Sequence, residues 1–201
     1  MKNKIANIIS GIFHPLLMPV YGTISLFCLD FFCFYTIFQK IYILLLVGAF
    51  TCVLPLAALL TLKWTGYVSN LRVERRKERY GVYLLSLLSY LICIYKLWQF
   101  GIPSWILLLV ISVFLAILII ALINIFWKVS IHATAAGSLA GGTLFVMFLL
   151  HIDLLWFFVS VVLLGGIVMS ARLQLRAHSL AQVLIGYAIG VFFTAIFPFF
   201  L

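Results

Sequence analysis

His178 and Gln182 are four residues apart, so on a helix the amide can hydrogen-bond an imidazole nitrogen and hold the ring. Arg172, six residues before His178, can reach an anion that faces the ring from the other side. An imidazole oriented from behind, with an anion clamped before it, is a nucleophile awaiting phosphorus. Ser130 and His132 form a second cluster, just ahead of a small-residue run at 133–137. A hydroxyl and an imidazole at the mouth of a helix can bind an anion together with the free backbone N–H groups there. Histidine is also the natural proton donor to a leaving oxygen near neutral pH. The third cluster, at 70–80, holds Arg72, Arg75, Arg76 and Arg79. Arg72 and Arg79 are seven apart, two helical turns, and share a face if this stretch is helical. Their planar forks suit paired oxygens of a phosphate.

Two of the clusters also have a structural reading. The first arginine run can be a juxtamembrane loop gripping lipid headgroups, with Glu74 and Glu78 pairing to neighbouring arginines at helical spacing. His132 can simply cap its helix. His14 beside Pro15, and His151 near Asp153, lack comparable company and read as structural or interfacial. Cys28, Cys33, Cys52 and Cys93 lie inside apolar stretches at spacings that match no metal motif, as small buried hydrophobes do. No metal and no cofactor is expected.

The elements that must position these residues are membrane spans. The chain is 67% hydrophobic and only 8% charged over 201 residues, a composition of polytopic membrane proteins. A span needs roughly 20 apolar residues to cross about 30 Å of hydrocarbon. Candidate helices fall near 16–37, 41–63, 82–99, 103–126, 135–151, 154–169 and 179–200. The expected fold is an all-α transmembrane bundle of six to seven spans, in one integral-membrane domain over 1–201. Residues 1–12 are short, weakly basic and amphipathic, without the small-residue cleavage site of a removable signal peptide. With seven spans, all three polar clusters occupy loops on one membrane face, as a single site requires. Gly137, Gly141, Gly186 and Gly190 stand at small-xxx-small spacing, which allows the helices that follow the Ser130–His132 and Arg172–His178 clusters to approach closely. The formal charge of +9 has no soluble module to present it to nucleic acid, so anionic lipid or a phosphate substrate is the expected partner.

In order and spacing, the three clusters resemble the motifs of the type-2 phosphatidic acid phosphatase superfamily, K-x6-R-P, P-S-G-H and S-R-x5-H-x3-D. Arg72 and Arg79 match the first pair, with Tyr80 in the proline position. Ser130 and His132 match the second, with Val129 and Ile131 for proline and glycine. Arg172 and His178 match the third in spacing, with Ala171 and Gln182 for serine and aspartate. The resemblance spans roughly 70–190, with a phosphatase-like core over about 70–200, and the stretch at 14–19 looks like a divergent bacterial subgroup.

The resemblance implies a membrane phosphatase acting on a lipid phosphate monoester or pyrophosphate, in a bacterial cytoplasmic membrane. His178 would attack phosphorus to give a phosphohistidine, and His132 would protonate the leaving oxygen and then activate water. Arg72, Arg79, Arg172 and Ser130 would hold the phosphoryl oxygens, and Gln182 would orient His178. The rival expectation is a catalytically impaired relative that binds anionic headgroups or has a structural or transport role. Gln182 favours it, because an amide orients an imidazole without stabilising its charge. Sidedness carries two opposed expectations. Of 13 Lys and Arg, all but Lys40 and Lys96 fall on the motif face, which the positive-inside rule puts in the cytoplasm. Family phosphatases typically face the other way.

Overall fold

The computed structural model describes residues 2–71, 73 and 75–200, and the regular structure among them is all helical, without a strand. Nine α-helices follow in chain order: α1 (Lys2–Ile12), α2 (Met18–Phe27), α3 (Ile37–Gly48), α4 (Leu54–Trp64), α5 (Arg79–Phe100), α6 (Ser104–Ile123), α7 (Ile131–Leu150), α8 (Leu155–Gln174) and α9 (Leu180–Ala195). A π-helical turn, Ala49–Val53, joins α3 to α4, so the two run as one helix of 28 residues, Ile37–Trp64. Among the described residues, that helix, α5, α6, α7 and α8 are the five long and apolar enough to cross a membrane. These helices make the protein a membrane protein by length and composition.

Five is fewer than the six to seven spans expected. At 16–37, α2 contributes only ten residues, about 15 Å of rise. The chain then breaks before Asp30, and a 3₁₀ turn, Asp30–Phe32, follows. At 179–200, α9 contributes 16 residues, about 24 Å. Beyond it Phe197–Phe200, which includes Pro198, forms a 3₁₀ turn.

The chain divides into two compact units, one of residues 1–15 with 108–201, the other of residues 16–107. In the first, α7 packs most extensively on α9, α8 packs on both, and α1 lies on α8. Gly186 sits against the Ser130 carbonyl, Gly190 against that of Thr134, and Gly141 against Val191 and Thr194. Positions therefore advance together along α7 and α9, so the two helices are parallel and begin at the same end. A Cβ at Gly190 would lie 2.1 Å from the Thr134 carbonyl oxygen, so only glycine permits this approach. The Thr194 hydroxyl bridges the pair, 2.9 Å from the Ser138 carbonyl on α7.

In the second unit α5 packs on α4, on α3 and on the π-turn between them. Pro55 explains that turn and its partner. In the π register Leu54 N–H reaches the Ala49 carbonyl, and the Phe50 carbonyl would next meet the nitrogen of Pro55, which carries no hydrogen. The Ser89 hydroxyl of α5 donates to that Phe50 carbonyl. A membrane segment has no water to do the same work.

Candidate functional site

His178 is placed by the two helix ends that flank it. The last turn of α8 closes with Arg176 N–H on the Leu173 carbonyl and Ala177 N–H on that of Arg172, a Schellman pair. Arg176 takes the left-handed conformation this requires, with φ 50°. The turn reverses the chain into α9, whose N-cap is Ser179 and whose third residue is Gln182. Their capping box is reciprocal: Gln182 N–H donates to Ser179 Oγ, and Ser179 N–H donates to Gln182 Oε1 at 3.2 Å. Lys128 Nζ ties the same turn, donating to the Ala177 carbonyl at 3.1 Å.

The capping box determines the chemistry of the imidazole. Gln182 Oε1 also lies 3.1 Å from His178 Nδ1. A backbone N–H can only donate, so the Gln182 atom that faces Ser179 is the oxygen, and Nδ1 must carry the proton. In the neutral ring the lone pair is then on Nε2. His178 itself is buried, 8% exposed, so this tautomer is held within the packed end of the bundle.

Ser130 and His132 sit at the beginning of α7. Ser130, fully buried, is the N-cap: its hydroxyl oxygen accepts Ala133 N–H, which leaves the hydroxyl proton to donate. Ser130 N–H donates to the Gln182 backbone carbonyl at 3.2 Å, joining the starts of α7 and α9. Two helix N-termini, with their positive dipole ends, thus lie side by side. Arg172, in the last turn of antiparallel α8, comes to the same end, and both Arg172 and His178 are close enough to interact electrostatically with His132. Two imidazoles, a guanidinium and two helix N-termini thus share one end of this unit, a combination whose chemistry can attract an anion.

Two residues of this end were not legible as site residues. The His14 ring packs edge-to-face on His132, with centroids 5.4 Å apart and planes at 80°. Burial, and then the Arg172 guanidinium, hold the His14 imidazole below its ordinary range. Ser10 of α1 accepts from Arg172 Nη1 at 3.3 Å, and its backbone hydrogen-bonds the His132 ring. The one sequence signal was the Ala6 and Ser10 pair, small residues four apart in an otherwise bulky amphipathic helix.

The arginine cluster departs from the helical stretch that would align Arg72 with Arg79. Arg72 and Glu74 lie outside the described residues. The described part of 71–78 is turns and bends, and α5 begins only at Arg79. Val73 explains the irregularity: it is buried against Leu59 and Val68, with φ 47°, a backbone conformation rare for a β-branched residue. Arg79, in the second unit and itself buried, donates from Nε to the Val73 carbonyl at 3.1 Å and hydrogen-bonds Tyr83. Glu78 pairs with Arg75 at 3.7 Å and accepts from the Ser69 hydroxyl. His151 closes the far end of α7 in the left-handed conformation.

Among the described residues, no group of three or more His, Cys, Asp or Glu side chains is arranged to hold a metal ion. No family model, curated protein or solved structure matches the chain.

Proposed function

We propose that this protein is an integral-membrane phosphatase that hydrolyses a lipid phosphate monoester or pyrophosphate through a phosphohistidine. The observation that carries the reading is the pair of bonds at Gln182 Oε1, which put the proton of a neutral His178 on Nδ1 and the attacking lone pair on Nε2. Its lone pair forms the N–P bond as the bond from phosphorus to the leaving oxygen breaks. His132 gives its proton to that oxygen. Water then attacks phosphorus, the N–P bond breaks, and His132 takes a proton from the water as inorganic phosphate departs. Arg172, the Ser130 hydroxyl and the two helix N-termini stabilise the charge on the phosphoryl oxygens. The apolar helices suit lateral arrival of a lipid, in a bacterial cytoplasmic membrane. On this reading α2 and α9 are also embedded, as shorter segments beside the five long helices.

Gln182 supports a second reading, in which the same end binds an anionic headgroup without cleaving it. Purified protein assayed against phosphatidic acid, phosphatidylglycerophosphate and undecaprenyl pyrophosphate separates the two. The phosphatase reading expects phosphate release that His178→Ala abolishes. Release that survives His178→Ala sinks the nucleophile assignment, and no release from any substrate favours the binding protein.

A further inference from the structure

Residues 10–14 meet the site at three points. The Ser10 hydroxyl accepts from Arg172 Nη1, the Ser10 backbone hydrogen-bonds the His132 ring, and the His14 ring stands edge-on against the same imidazole. We propose that this segment is a working part of the anion site, in which Ser10 is a positioning residue for Arg172 and His132, and His14 fixes the ring plane of His132. The segment does for His132 what Gln182 does for His178. One ring nitrogen of His132 is taken up by the Ser10 backbone, which leaves the other for proton transfer. The edge-to-face contact restricts rotation about the remaining side-chain torsion.

The packing of α1 supports this assignment. Ala6 and Ser10, one turn apart, are both buried, at 1% and 7% exposure, while Ile5, Ile8 and Ile12 stay exposed. The helix lies on α8, the helix that carries Arg172. It therefore packs through two small side chains while three of its four isoleucines stay exposed. Small side chains at this contact allow close approach of the Ser10 backbone to α7 and α8. An arginine clamp aimed by a hydroxyl also loses less rotamer freedom on binding its anion.

The inference rests on the anion-site reading above, and the test separates the two. Full-length protein in detergent is titrated with inorganic phosphate by calorimetry, and lipid phosphate turnover is measured in parallel. Ser10→Ala is expected to weaken phosphate binding about tenfold, with Ser10→Thr close to wild type because the hydroxyl is kept. His14→Ala is expected to lower kcat about tenfold with KM little changed, while His14→Phe, which keeps an edge-on ring, retains most of kcat. The His14 pair keeps the proposal testable should Ser10→Ala fail to fold. Phosphate binding unchanged in folded Ser10→Ala, together with unchanged kcat in His14→Ala, overturns it. Wild-type protein that binds phosphate but releases none from any substrate sinks the enzyme reading alone, and the Ser10 arm is still read by binding. Wild-type protein that neither binds nor releases phosphate overturns both.

Discussion

Gln182 turns one oxygen to two donors, the Nδ1–H of His178 and the N–H of Ser179, at 3.1 and 3.2 Å. The side chain that starts helix α9 thereby also sets the tautomer of the imidazole before it. A glutamine can close a capping box and reach the ring at once, so the helix cap and the site share one residue.

This sharing predicts the outcome of changing Gln182. Glutamate keeps the length and the acceptor and adds a charge behind a ring that becomes cationic as it is phosphorylated. Gln182→Glu is expected to raise kcat about tenfold, which corresponds to about 1.4 kcal/mol of barrier. Gln182→Met removes both bonds and is expected to lower kcat at least about tenfold. Steady-state phosphate release decides it. A Glu variant slower than wild type at every pH would show that the site is adapted to a neutral partner.

His14 predicts a pH dependence of stability. Burial and Arg172 lower its folded-state pKa below the unfolded value of 6.5, so the unfolded chain binds more protons in the window between them. This group's contribution is therefore fully present above about pH 6.5 and falls as the pH drops toward its folded value. Melting in detergent at pH 7.5 and 5.5 measures it. The loss at the lower pH is expected to be smaller in His14→Phe, and an identical loss in both proteins would assign the pH dependence elsewhere.

The glycine contacts predict a sharp contrast between two alanine substitutions. Gly190→Ala drives a Cβ to 2.1 Å from the Thr134 carbonyl oxygen, where backbone rather than a flexible side chain must give. The expected cost is about 1–3 kcal/mol or more, with loss of phosphate release as the starts of α7 and α9 separate. Gly166→Ala meets nothing within 4 Å and is expected to be neutral or slightly stabilising. Equal melting temperatures for the two variants would contradict the close parallel packing.

Local chemistry made some of this legible in the sequence and long-range packing hid the rest. The four-residue spacing of His178 and Gln182 and the small residues of α7 and α9 are periodic signals, readable without a fold. Hydropathy likewise marks the long helices, but it cannot see that the helices at the first and last candidates hold only 10 and 16 residues. His14 looked isolated because its partners, His132 and Arg172, lie more than a hundred residues away. Whether the arginine stretch is helical was not legible, because spacing alone does not reveal that Val73 is drawn into the Leu59 and Val68 cluster, with Arg79 holding its carbonyl.

The π-turn yields the prediction least visible in the sequence. Pro55 deprives the Phe50 carbonyl of its next backbone donor, and Ser89, 1% exposed, supplies one from α5. Ser89→Ala leaves a buried acceptor unpaired, at an expected cost of about 1–3 kcal/mol. Pro55→Ala restores a backbone N–H one residue beyond the turn, so the double variant should lose less than the sum of the single losses. Thermal melting of the four proteins closes this cycle. Strict additivity would mean that Ser89 satisfies no acceptor orphaned by Pro55, and the π-turn would then need another cause.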